Sequence, residues 1–221
     1  MPPIAFHLSM LLALIESLGL AGFLLWRARR VDGVGYLVLF LSGVAVWVAS
    51  CELPSWCGVA AVPLGVRLVG FSSLTSAFFL HFILVFCRLP RASGAIFSAY
   101  LAGGLATLAA MVIPAGRYEP WAGLDYFFVP NGMGWAVGAV WAALAIAGHA
   151  VMFLSWLNRT GPPRRQLVAM CLASGWGLLC MAGYAFRPLG IDLYPYPLLL
   201  LPAYPVIRRR SEKPWRMLTT T

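Results

Sequence analysis

The stretch 68–87, LVGFSSLTSAFFLHFILVFC, holds twenty residues with no formal charge and a single imidazole, His81. Wound as an α-helix at about 1.5 Å per residue it is about 30 Å long, the thickness of a bilayer's hydrocarbon core. The rest of the chain has the same character. Of its 221 residues 61% are hydrophobic and only 10% are charged, and the mean hydropathy is +0.83. Too little polar surface is left to enclose a water-soluble core, so the sequence predicts an all-α integral membrane protein, a polytopic helical bundle in contact with the lipid bilayer.

Working outward from 68–87 gives seven apolar segments: 4–26, 34–53, 68–87, 94–113, 133–157, 166–186 and 189–207. Pro, Gly and Arg residues collect at the seams between them. Thirteen of the sixteen Lys and Arg residues fall on one side: Arg27, Arg29, Arg30, Arg88, Arg91, Arg159, Arg164, Arg165 and the cluster from Arg208 to Arg216. The opposite loops hold Arg67, Arg117 and Arg187 with Glu52, Glu119, Asp125 and Asp192. By the positive-inside rule the N-terminus is outside and the C-terminus cytoplasmic. The net charge of +9 therefore reports orientation; no folded basic domain exists to bind nucleic acid. The seventh segment, with Asp192 and several prolines, predicts a kinked or partly irregular last helix. The domain reading is a seven-helix unit over 1–207 and a short basic tail over 208–221. The N-terminal segment lacks a basic residue before its apolar run, which marks a retained anchor and not a cleaved leader.

Three ionisable side chains lie deep in apolar segments: Glu16, His81 and His149. Their depths from the outer side are about 18, 20 and 24 Å at the helical rise, so all three fit one layer. Three readings remain open. Each histidine is neutral and bonded to a neighbouring helix, for instance to Ser73, Ser76 or Glu16; or His81 and His149 are axial ligands of a b-type haem; or Glu16 and a histidine form a ligand or proton site. Retinal is excluded because the one lysine, Lys213, lies in the tail.

Cys51 and Cys57 both fall near the outer face and form a candidate disulfide in an oxidising compartment. Cys87, Cys171 and Cys180 read as packing residues. Trp26, Tyr36 and Trp156 near one boundary and Trp56, Trp121, Tyr126 and Trp135 near the other read as an interfacial belt. The outer loops 54–66 and 114–131 carry Trp121, Asp125 and Tyr126 as candidate ligand contacts. Gly103, Gly104, Gly134 and Gly138 are candidate helix-contact positions. No Walker loop, HExxH or GxSxG motif and no pairing of nucleophile with base occurs, so the expectation is a non-enzymatic protein.

The stretches RLVGFSSLTSAFFLHFILVF at 67–86, LDYFFVPNGMGW at 124–135, PPRRQLVAMCLASGWG at 162–177 and PLGIDLYPYPLLLLPAYPVI at 188–207 occur in an order that resembles the seven-helix N-terminal sensor region of bacterial membrane histidine kinases. The resemblance implies a bacterial inner-membrane protein. Arg164, Arg165 and Gln166 would begin its sixth helix, and Pro188, Gly190 and Asp192 would form its last outer turn. No dimerisation helix, phospho-acceptor histidine or ATP-binding domain follows in this sequence, so the resemblance implies either an output carried by a partner protein or a fold reused as a structural subunit. Two functions follow as expectations: a sensor relaying a membrane or periplasmic cue to a cytoplasmic partner, or a non-catalytic accessory subunit of a respiratory, photosynthetic or transport assembly.

Overall fold

The computed structural model describes residues 3–201 except 29, 90–91 and 159–161. Among the described residues six helical runs are long and apolar enough to cross a membrane. Helix α1 (Pro3–Arg27) leads into α2 (Val34–Cys57); a 3-10 turn at Val59–Ala61, α3 (Val62–Val69) and α4 (Ser72–Phe86) form the third run. Helix α5 (Ser93–Val112), α6 (Gly132–Asn158) and α7 (Arg164–Met181) complete the set, α7 being prolonged by a 3-10 turn at Ala182–Ala185.

The opening stretch is the hub. Helix α4 packs on α2, α5 and α6, and Phe79, Leu80, Phe82, Ile83 and Leu84 are all buried. The outermost helices bury one narrow stripe each and turn the rest of their apolar surface outward. On α1, Phe6, Met10 and Ala13 are interior while Ile4, Leu8, Leu11, Leu12 and Ile15 are exposed. Such a surface suits hydrocarbon in place of water.

The loop expected over 54–66 is largely helical. Pro54 lies inside α2, where its missing N–H leaves the Ser50 carbonyl one turn earlier without its helical partner. The Tyr118 hydroxyl donates to that carbonyl at 2.6 Å, which is how α2 tolerates the proline and continues to Cys57. The third run breaks at Gly70 and Phe71; the freed Gly70 carbonyl accepts from the Thr107 hydroxyl of α5 at 3.1 Å.

The loop expected over 114–131 is a β-hairpin, a departure from an all-α fold. Strands β1 (Gly116–Trp121) and β2 (Leu124–Pro130) are antiparallel, with an irregularity at Pro120, which has no N–H for the ladder. Ala122 and Gly123 between them both have positive φ, 53° and 82°, as a two-residue hairpin turn of matching twist requires. Leu124, Phe127, Phe128 and Val129 are buried against Phe6, Val48, Val66 and Ala110, so the hairpin plugs one end of the bundle.

The described part of the seventh segment is not a continuous helix. After Gly190, at φ 72°, the backbone is irregular to Pro195, and α8 (Tyr196–Leu199) is one short turn. It is held by Ser9 donating to the Leu199 carbonyl at 3.4 Å and by Trp176 donating to that of Leu200 at 2.9 Å. Residues 202–207 of that segment, the tail 208–221, and Arg29, Arg91 and Arg159 of the charge asymmetry lie outside the described residues.

Candidate functional site

A cavity of about 470 Å³ runs from the inner side of the hairpin down between α1, α2, α4, α6 and α7. Phe128 and Pro130 border its hairpin end, and Glu16, His149 and Ser174 supply polar groups deeper down. The remaining wall is mainly apolar and aromatic, including Phe40, Trp47, Phe79, Trp141 and Tyr184. Its size matches that of small-molecule pockets.

Of the three deep ionisable residues expected to share a layer, two meet here and one does not. His149 uses both ring nitrogens: Nδ1 lies 2.8 Å from the Ala145 carbonyl of its own helix, and Nε2 lies 2.8 Å from Ser174 Oγ on α7. A carbonyl only accepts, so Nδ1 carries a proton. With a neutral ring the Ser174 hydroxyl donates to Nε2; with a charged ring Nε2 donates to Ser174 Oγ and the hydroxyl turns to the Met170 carbonyl, 2.7 Å away. Ser174 therefore completes either state. Glu16, half-buried, makes no hydrogen bond or ion pair among the described residues.

His81 points elsewhere. Its ring stacks on Tyr36 with centroids 3.5 Å apart, and Nδ1 lies 3.0 Å from the hydroxyl of Tyr100 on α5. It does not border the cavity. The expected partners Ser73 and Ser76 bond to the Val137 and Ser73 carbonyls instead. Phe79, two residues before His81, is what faces His149, with ring centroids 5.6 Å apart. Residues two apart on a helix point to opposite sides. The facing pair of free imidazole nitrogens that a bis-histidine haem site requires is therefore not assembled from His81 and His149.

The candidate disulfide is also corrected. Cys51 is buried, Cys57 is exposed, and both are free thiols. Because α2 runs unbroken through both, six residues of helical rise hold them about 9 Å apart, beyond the reach of about 7 Å for a disulfide. Of the outer-loop candidates, Trp121 belongs to the interior and not to an interfacial belt: it is 6% exposed and packs on Phe127 at 4.6 Å. Asp125 is exposed and Tyr126 half-buried on β2.

A second polar cluster, at the hairpin end, is not evident from the sequence. His7 Nδ1 lies 2.6 Å from Glu52 Oε2, joining the start of α1 to the end of α2. Glu52 is fully buried, and its other oxygen, Trp121 Nε1 and Tyr194 Oη have no hydrogen-bond partner among the described residues. From the sequence Glu52 counts among the charges of the outer side; the continuation of α2 through Pro54 and the hairpin packed on it bring it inside. Above this cluster Glu119 accepts from Arg187 at 3.0 Å and from Arg117 at 3.1 Å. The Arg187 hydrogen bond, then that of Arg117, holds the Glu119 carboxyl below the usual carboxylate range against partial desolvation. Burial pushes the Tyr118 phenol well above its ordinary value, so it remains a donor to Ser50.

No group of three His, Cys, Asp or Glu side chains among the described residues is arranged to hold a metal ion. No protein-family model, curated protein or solved structure gives a significant match to the chain.

Proposed function

We propose that the chain is a receptor-like membrane module in which occupancy of the Glu16 and His149 cavity biases helix packing and a cytoplasmic partner reads the result. The observation that carries this reading is the cavity itself, continuous from the hairpin to a hydrogen bond that joins two helices. A ligand that takes over the His149 imidazole frees Ser174 and with it the registration of α7 against α6. A ligand shifts an equilibrium only by its differential affinity for two states, and this bond supplies such a difference. In this reading the N-terminus and hairpin face the outside of a bacterial inner membrane and the seventh segment returns the chain to the cytoplasm. The distribution of cations supports that orientation, and the order of sequence features supports kinship with the sensor regions of histidine kinases.

Native mass spectrometry of the chain released from its own membrane in mild detergent tests the proposal. The expected result is the chain alone, or with a soluble signalling partner, carrying a non-lipid small molecule that is lost from Gly138→Leu, which narrows the cavity. Recovery with a fixed set of redox, pigment-binding or transport subunits and an empty cavity would make it an accessory subunit instead.

A further inference from the structure

We infer that the cavity selects a lipophilic cation, an amine or onium centre carrying apolar groups, with Glu16 as its counter-ion. This rests on the receptor reading and names the ligand class for the same site. A charged side chain at the centre of a bilayer costs about 2.5 to 3.5 kcal/mol to place and ordinarily faces a partner. Glu16 borders the cavity, yet no cation among the described residues pairs with it. Among the described residues no Lys or Arg borders the cavity either, so an anionic ligand would meet a carboxylate and no balancing charge from them. The wall suits the opposite sign. Trp47, Phe79, Trp141 and Tyr184 line it, and the negative face of an aromatic ring attracts a desolvated cation.

Depth decides between two sources of such a cation. Glu16 lies thirteen residues into α1 from Pro3, about 20 Å along its axis. The ammonium of a zwitterionic lipid headgroup would have to leave the interface and carry its phosphate with it to reach that depth. A free lipophilic cation already partitions into hydrocarbon and brings no phosphate. The cavity volume of about 470 Å³ suits a compact molecule of that kind.

The test uses the full chain in nanodiscs of phosphatidylglycerol, with radiolabelled tetraphenylphosphonium as the probe and triphenylphosphine oxide as a neutral aromatic comparison. The expected result is saturable binding of one phosphonium per chain, weakened about tenfold or more by Glu16→Gln and retained by Glu16→Asp. The oxide should bind more weakly and ignore the substitution. Size-exclusion profiles of the variants establish that each is folded. Equal binding of the two probes, unchanged by Glu16→Gln, would overturn the cation assignment and leave a receptor for neutral apolar molecules. Phosphonium binding abolished in phosphatidylcholine nanodiscs would assign the site to a lipid headgroup and overturn it as well. Saturable binding of neither probe would remove both this inference and the cavity reading beneath it.

Discussion

Removing His7 should destabilise the protein more than removing its buried partner. Glu52 is fully buried, whereas the His7 side chain is 34% exposed, and the 2.6 Å contact between them is the one hydrogen bond the Glu52 carboxyl makes among the described residues. His7→Ala therefore strands a buried carboxyl at the hairpin end, while Glu52→Leu leaves an imidazole that still reaches the surface. If the shared proton sits on the carboxyl, the loss is that of a buried unsatisfied group, about 1 to 3 kcal/mol. If it has passed to the imidazole, the loss is that of a broken buried ion pair, about 3 to 5 kcal/mol. The protein carries its own reporters of unfolding, since Cys51, Cys87 and Cys180 are buried free thiols. Labelling by a thiol-reactive fluorophore during a detergent-solubilised thermal ramp would follow their exposure. The expected order of stability is wild type, then Glu52→Leu, then His7→Ala, with the double variant recovering much of the His7→Ala loss. A His7→Ala protein within about 0.5 kcal/mol of wild type, with no coupling in the double-mutant cycle, would refute the reasoning.

Three further outcomes follow from individual contacts. A Cβ added at Gly103 would lie 2.9 Å from the Ser73 carbonyl on α4, whereas at Gly104 it would meet nothing within 4 Å; Gly103→Ala should cost about 1 to 3 kcal/mol and Gly104→Ala almost nothing in the same thermal assay. The Glu119 carboxyl is held below its ordinary value by Arg187 and Arg117, so its contribution is complete above the unfolded-state value and lost as pH falls through the lower folded one. Hydrogen exchange of the hairpin amides should accelerate over that acidic window and Glu119→Gln should remove the pH dependence, the whole effect staying below about 1 kcal/mol because the pair is exposed. Cys57, exposed and free, should react with a membrane-impermeant maleimide in intact cells while Cys51 does not, and non-reducing conditions should leave the intact mass unchanged; labelling only after membrane disruption would reverse the proposed orientation.

The membrane-spanning character was legible in composition and run length because a bilayer imposes a simple demand: about twenty apolar residues with every backbone group satisfied within the helix. Five of the six observed runs begin and end within a few residues of the apolar segments, and the third is extended by a short helix that the proline-rich 54–66 stretch concealed. The hairpin was hidden for a different reason. Its strands alternate weakly, and they are stable only because Phe127 and Leu124 find the end of the bundle to pack on.

The site divides along the same line. The expectation that Glu16, His81 and His149 lie at comparable heights along their helices comes from counting residues, since axial rise is a local property. Which of them face one another depends on helix rotation and neighbour order, which are set by contacts between segments far apart in sequence. Thus His81 turns to Tyr36 and Tyr100 while Phe79 takes the position opposite His149, and Glu16 joins His149 at one cavity. Glu52 shows the strongest dependence on tertiary structure. Its burial requires a hydroxyl from β1 to satisfy the carbonyl that Pro54 frees, and its partner His7, 45 residues earlier in the chain, stands beside it because the start of α1 packs next to the end of α2. Membrane-spanning character and segment length were properties of the sequence by itself, because they depend on each helix alone; the cavity and the buried acid belong to the assembled bundle.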